Sequence, residues 1–325
     1  MWLFGVFLFF MKSVRLCVIL LVASLMLFLM TAYRQTRTVE TGSPGRKPII
    51  PDIQLEHTPD RVRRGEAIAQ MLCVQCHADD RNRLTGKRMT DLPRIMGRIY
   101  SANITRDSAA GIGRWTDGEL LYFLRTGVRR DGSMAPAMPR FPLMADEDLQ
   151  SVVAWLRSDA LPVQPDPNEA PRSRYSLPVK LLAKSVLGTI PYPEKPIDKP
   201  DSGQEVLTGR YMADAVAGCF NCHSADFKKL NARYPERSKG YYAGGTVLRD
   251  EEGRRIRASN LTPDPQTGIG RYTREEFVRA VRMGVRPDGS VLRWPMFPHV
   301  TLTDAEAGAI YAYLRTLPPV RHQVK

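Results

Sequence analysis

The strongest constraint on this chain is that it repeats itself. "SANITRDSAAGIGRWTDGELLYFLRTGVRRDGS" (101–133) lies over "ASNLTPDPQTGIGRYTREEFVRAVRMGVRPDGS" (258–290) without a gap, at an offset of 157 that pairs Asn103 with Asn260, Trp115 with Tyr272 and Gly127 with Gly284. The segments "ADEDLQSVVAWLRSD" and "TDAEAGAIYAYLRTL" match at an offset of 158. Upstream, Cys73-Val74-Gln75-Cys76-His77 answers Cys219-Phe220-Asn221-Cys222-His223 at an offset of 146, so the second copy carries 11 more residues between its cysteine motif and the repeat core. Self-similarity of this length means one structural unit used twice. A chain of 325 residues has room for two units of ordinary size.

Each copy reads as helical. A helix leads into the cysteines, Arg64 to Cys73 and Gly209 to Cys219. The next opens on Thr-x-x-Glu, Thr116 with Glu119 and Thr273 with Glu276. In such a capping box the hydroxyl accepts the backbone N–H three residues on and the carboxylate reaches back. Gly127 and Gly284 close these helices, where a left-handed residue is wanted. The last helix carries Leu149, Val152, Val153 and Leu156 in one copy and Ile310, Tyr313, Leu314 and Leu317 in the other, an apolar face at helical spacing. No alternating strand of any length is evident, and the Gly-Ile-Gly stretches at 111–113 and 268–270 read as turns, since no strand precedes them. The expected fold is all-α, two tandem domains related by internal duplication over residues 57–161 and 204–320, with an N-terminal apolar helix. Residues 35–56 are a linker, 321–325 a tail, and the proline-rich 162–203 a semi-rigid arm with space for a short helix over Val179–Leu187. Within that arm Ala170–Pro193 is basic through Arg172, Arg174, Lys180 and Lys184, which suits a solvated face or a docking or lipid-contact surface equally.

Residues 1–34 point out of the cytoplasm. Leu16 to Tyr33 holds 18 residues without a charge, roughly 27 Å of helix against a hydrocarbon core of ~30 Å. Lys12 and Arg15 precede the run and no acid appears before Glu40, the charge layout of an export signal or signal anchor. No small-x-small cleavage site follows, which favours a retained anchor in a bacterial inner membrane with the domains in the periplasm; cleavage would leave them periplasmic. Arg34 and Arg37 count mildly against this orientation, and from Met11 the chain reads as a better signal, so the start at Met1 or Met11 stays open. The net charge of +13 admits nucleic acid, anionic lipid or an acidic protein as partner. No nucleic-acid motif is present and the basic residues are spread out, so nucleic acid is set aside.

The chemistry lies in the doubled Cys-x-x-Cys-His. Four of the five cysteines belong to it, and the fifth, Cys17, sits in the apolar run. Nothing is left for a disulfide framework. Cysteines three apart with histidine directly after the second place two thiols and an imidazole on about one turn of helix, as covalent attachment of haem c through its two vinyl groups requires. A Cys₄ zinc site is the rival, but zinc does not require a histidine after both pairs. A redox dithiol would want a strand–helix context that is missing. Two covalently attached haem c groups are therefore expected, on Cys73, Cys76 and His77 and on Cys219, Cys222 and His223, with the histidines as axial ligands.

A sixth ligand can be sought in each copy. The first offers Met89, Met96, Met134, Met138 and Met144 after its motif, the second Met283, Met296 and His299. Met138 stands eight residues before Asp146 and Met296 eight before Asp304, whereas Met283 falls opposite Thr126 and His299 opposite Phe141. Only Met138 and Met296 occupy equivalent positions, both in proline-rich loops that stiffen the backbone. A core-filling methionine is the alternative, with Met134 and His299 as fallback ligands. A thioether favours Fe(II) and raises the potential relative to a second histidine. Closing both axial positions leaves no open iron for a substrate.

These motifs, with "NITRDSAAGIGRWT", "NLTPDPQTGIGRYT" and "AIYAYLRTLPPV", resemble tandem class I c-type cytochromes, in particular the cytochrome c subunits of bacterial membrane-associated dehydrogenases for alcohols, aldehydes and sugar acids. The likeness covers about residues 60–160 and 204–320. It implies a dihaem carrier that takes electrons from a partner dehydrogenase towards quinone, a terminal oxidase or a small cytochrome, with no catalysis of its own. Those subunits usually hold three haem domains, and this chain has two motifs. A dihaem peroxidase, a thiosulfate-oxidising enzyme and a subunit of an oxidase complex are the alternatives. The first wants a displaceable ligand, the second a cysteine thiolate that the folded part does not offer.

Overall fold

The computed structural model describes residues 48–324 apart from 91, 93, 180–189 and 251, together with Ser24. Apart from Ser24, the apolar run Leu16–Tyr33 lies outside these residues, as does most of the Val179–Leu187 segment. Among the described residues no helix is long and apolar enough to cross a membrane. The longest, Pro59–Leu72, has 14 residues, short of the roughly 20 a span needs, and its apolar side chains are committed to a protein core. The expected inner-membrane anchor, and the placement built on it, is corrected on that finding.

Helix α1 (Pro59–Leu72) starts five residues ahead of the expected Arg64 because Thr58 caps it: its hydroxyl accepts the Arg61 N–H, and Pro59 fills the first position, where no N–H is needed. After Cys73 comes the single turn α2 (Val74–His77). A two-residue strand β1 (Gly97–Arg98) precedes α3 (Asp117–Thr126), whose capping box is complete and which ends at Gly127 with φ 76°. Helix α4 (Asp146–Leu156) closes the first half, and β2 (Arg174–Tyr175) returns antiparallel to β1 with Gly97 opposite Tyr175. In the second half α5 (Glu205–Arg210) runs into a π-helix (Tyr211–Val216) before the turn α6 (Phe220–His223). Strands β3 (Val247–Arg249) and β4 (Arg255–Arg257) form an antiparallel ribbon. Helix α7 (Arg274–Met283) has its capping box and ends at Gly284, also at φ 76°; α8 (Asp304–Arg315) starts in a third box, Thr303 with Glu306. The two ribbons refine the all-α expectation. At two and three residues per strand they carry too little alternation to be read.

In each half the first helix crosses the last at a glycine. A Cβ on Gly65 would stand 1.8 Å from the Ser151 carbonyl oxygen, and one on Gly209 1.9 Å from that of Ala309. Only hydrogen fits where the two backbones touch. Gly65 lies eight residues before Cys73, Gly209 ten before Cys219. The wider π turns, in which the Ala217 N–H reaches back five residues to Met212, help to take up the difference. Trp155, Leu84 and Leu149 fill the core of the first half; Met212, Tyr242, Leu302 and Leu314 fill that of the second.

Residues 47–325 pack as one unit, and a buried carboxylate joins its halves. Asp148, fully buried, accepts two bonds of 2.9 Å from the Arg64 guanidinium and one of 2.7 Å from the Tyr211 hydroxyl. Arg64 also reaches Glu306 of the second half at 2.6 Å, and the Thr301 hydroxyl donates to the Ala67 carbonyl at 2.8 Å.

Candidate functional site

Each Cys-x-x-Cys-His occupies one helical turn. The His77 N–H donates to the Cys73 carbonyl and the His223 N–H to that of Cys219, both at 2.9 Å. Both imidazoles are buried. Nδ1 of His77 lies 2.7 Å from the Ala102 carbonyl oxygen and Nδ1 of His223 2.8 Å from that of Ser259. A carbonyl can only accept, so Nδ1 carries the hydrogen and Nε2 keeps its lone pair. Burial pushes both rings below the ordinary imidazole range, which keeps that lone pair free of a proton. A neutral ring with one nitrogen held by a backbone acceptor is the state in which histidine binds a metal.

The repeated Asn-x-Thr explains how those carbonyls are placed. Asn103 Oδ1 accepts the Thr105 N–H at 2.8 Å and its hydroxyl at 2.7 Å, while Nδ2 donates to the carbonyls of Asp166 and Asn168. Asn260 Oδ1 accepts from Thr262 at 2.9 and 2.7 Å, and its Nδ2 donates to the Val320 carbonyl. The orienting carbonyl stands one residue before each asparagine. Sequence reasoning found the asparagines in the repeat but missed their task, because the group they position is backbone and carries no residue-type signal.

The two methionine loops hang from their helices in the same way. In the first, Ala135 N–H donates to Gly127, Met138 N–H to Ala135 and Phe141 N–H to Leu124. In the second, Leu292 donates to Gly284, Met296 to Arg293 and His299 to Val281. Met138 and Met296 thus close the same turn, and both are half-buried. Met134 bridges to Val128 as Val291 does to Val285, so its counterpart is not a methionine. Met144 is fully buried in the core and Met283 is 58% exposed.

A cavity of about 600 Å³ gathers Cys219, Cys222, His223, Met296 and His299, with apolar walls from Phe277, Leu302, Ile310 and Leu314. Cys76 and residues 139–143 of the first half complete the wall, so the first motif touches the space around the second. Cys73, His77 and Met138 do not line it. Nδ1 of His299 is buried with no partner among the described residues. Burial, reinforced by His223, pushes this imidazole down to about 4. Burial also pushes the thiols of Cys73 and Cys219 up to about 12, so neither is a ready thiolate nucleophile. Among the described residues no group of three or more His, Cys, Asp or Glu is placed to hold a metal ion.

Residues 60–156 match the family model described as cytochrome C oxidase, cbb3-type, subunit III. This segment is similar to a cytochrome c domain. Beyond that segment, the chain is 29% identical to the fructose dehydrogenase cytochrome subunit of Gluconobacter japonicus over 84% of its own length and 55% of that protein. It is 29% identical to the alcohol dehydrogenase (quinone) cytochrome c subunit of Gluconacetobacter polyoxogenes, over 86% of this chain and 62% of the relative. The gluconate 2-dehydrogenase cytochrome c subunit of Pantoea cypripedii is 27% identical over 79% and 59%. The chain therefore spans between about half and two thirds of these relatives. A cytochrome c domain carries covalently bound haem c, and the residues present fit that group: paired thiols and a neutral histidine on one turn, and, in the second half, an apolar cavity of suitable size with a methionine in its wall.

Proposed function

We propose that the chain is a dihaem c-type cytochrome, built from two duplicated domains over residues 57–161 and 204–320, that carries electrons for a partner dehydrogenase. Cys73, Cys76 and His77 would hold one haem, with Met138 as sixth ligand. Cys219, Cys222 and His223 would hold the other, with Met296. When bound, haem c supplies reversible one-electron Fe(III)/Fe(II) chemistry. The protein's own part would be to fix both imidazoles through Ala102 and Ser259 and to keep water and substrate away from the group. The observation that carries the reading is the cavity that Cys219, Cys222, His223 and Met296 share. The names of the relatives support an electron-transfer subunit with a sugar, sugar-acid or alcohol dehydrogenase as donor, and quinone, a terminal oxidase or a small cytochrome as acceptor.

The pyridine haemochrome assay should give two c-type haems per chain, and one or none defeats the reading. A tagged chain purified from its native source should bring a flavin or quinone dehydrogenase with it; recovery of the chain alone favours a free shuttle. A second ligand set, His299 in place of Met296, is supported by the unpartnered Nδ1 in the same cavity. Met296→Ala should abolish part of the methionine–iron charge-transfer band. If Met296→Ala leaves that band intact and His299→Ala perturbs the haem spectrum instead, the ligand is the histidine.

A further inference from the structure

Beside its cysteine motif the second half has a buried cluster of one carboxylate and three tyrosines. The π-helix carries Asp214 into the wall of the cavity that Cys219, Cys222 and His223 line. Its carboxylate is 7% exposed and accepts the Tyr241 hydroxyl at 2.6 and 2.7 Å and the Tyr242 hydroxyl at 2.8 Å. Tyr241 in turn meets the Tyr313 hydroxyl of α8 at 2.7 Å. One cation stands nearby, Arg210 at 3.6 Å, half-exposed and itself paired with Glu236 at 3.0 Å. The cavity beside it is further lined by the thiols of Cys219, Cys222 and Cys76, the imidazoles of His223 and His299, the Tyr272 phenol and the guanidiniums of Arg140, Arg257, Arg286 and Arg293.

The backbone identifies what the first half has in these places. Gly86 N–H donates to the His77 carbonyl and Ile104 N–H to Leu84; Gly244 donates to His223 and Leu261 to Tyr242. Tyr242 therefore stands where Leu84 does and Tyr241 where Arg83 does, while Tyr313 matches Trp155 in the last helix. Leu84 and Trp155 are fully buried apolar groups. At this motif two of the three phenols thus stand where the other has the buried Leu84 and Trp155, and the third where it has Arg83.

An ionised carboxylate in a low-dielectric wall interacts strongly with any charge that changes beside it. Burial pushes the Asp214 carboxyl above the usual carboxylate range, against the hydrogen bonds of the two tyrosines and the charge of Arg210. Asp214 lies nine residues before His223 and makes no hydrogen bond to it.

We infer that Asp214 is a proton-accepting site coupled to the redox state of the second haem centre. As that centre gains one electron from a one-electron donor, the Asp214 carboxylate takes up a proton from solvent; oxidation returns it. The rim of the cluster, Arg210 and Glu236, leads to the surface. The inference rests on the dihaem reading above. Its sign follows from linkage. Reduction removes one positive charge, so the carboxyl holds its proton more tightly in the reduced state. The potential then falls with rising pH between the oxidised-state and reduced-state pKa values, a window that opens above the ordinary Asp value of about 3.9.

The test is spectroelectrochemical titration of the intact two-haem protein with soluble mediators as the pH is raised. One centre should lose potential with a slope approaching, at most, about 59 mV per pH unit, a tenfold change per unit for one electron, while the other stays flatter. Asp214→Asn should remove that slope and leave the other centre alone. Two centres that respond to pH identically in wild type and Asp214→Asn overturn the inference. Should Asp214→Asn fail to fold, Tyr242→Phe removes one donor to the carboxylate and should move the window to higher pH; an unmoved window overturns it equally. The haem count separates the two levels: fewer than two haems defeats the dihaem reading, whereas two haems without an Asp214-dependent slope defeats this inference alone.

Discussion

Helix α4 of the first half starts at Ala145 with no side-chain cap, whereas α8 of the second starts at Thr303 in a complete capping box. The bare end is completed by the other half. The Tyr211 hydroxyl accepts the Ala145 N–H at 3.1 Å, the place that Glu306 takes for Thr303 at 2.9 Å. Asp148, the counterpart of Glu306, is thereby released to bind Arg64 and Tyr211. The same asymmetry runs through the methionine loops. The face of α3 is covered by the arm, with Tyr192 stacked on Tyr122 at 5.5 Å and β2 paired to β1. The corresponding face of the second half leaves Met283, Val291 and Val300 exposed. The first half borrows a cap from its neighbour, whereas the second caps itself.

That contrast can be broken most severely at Arg64. Arg64→Ala leaves the buried Asp148 charge to Lys199 at 3.7 Å and the Tyr211 hydroxyl and should cost about 3 kcal/mol in denaturant unfolding; a loss below about 1 kcal/mol would mean the network is ornamental. The same pair sets an acid limit. Burial works against the Asp148 charge, but the Arg64 guanidinium outweighs it and holds the carboxyl below the usual range. Its stabilisation is thus complete above the unfolded Asp value of about 3.9 and fades as the pH falls through the lower folded value. Arg64→Ala should flatten that acid limb, measured as stability against pH.

A smaller effect sharpens the borrowing itself. Tyr211→Phe removes the hydroxyl from both Ala145 and Asp148 and should cost about 1–3 kcal/mol, with faster amide hydrogen exchange at the start of α4, not α8. Equal exchange at both ends would contradict the borrowed cap. Smallest is Thr303→Ala, which deletes a cap made within its own half. About 1 kcal/mol is expected, with protection lost at α8 and the α4 end unaffected.

Much of this was legible where the determinants are local. The capping boxes at Thr116 and Thr273 and the left-handed Gly127 and Gly284 stand where the residue types demand, because a cap is decided within four residues. The start of α1 was misjudged because Thr58–Pro59, a sufficient signal, was passed over. The apolar run before residue 34 satisfied a length and charge rule that no described helix bears out. The short ribbons and the crossings at Gly65 and Gly209 were illegible, since their partners lie tens of residues away and are backbone atoms.

The sequence by itself determined the two Cys-x-x-Cys-His turns, the matching positions of Met138 and Met296 and the helix order, because each depends on spacing along one stretch of chain. Only the tertiary structure decided which carbonyls hold His77 and His223, that Cys76 borders the cavity of the second motif, and that Asp214 sits beside Cys219 among three phenols. Those contacts join distant segments whose meeting is set by how the helices cross and by the shift a π-helix introduces. Neither leaves a mark in residue type or periodicity.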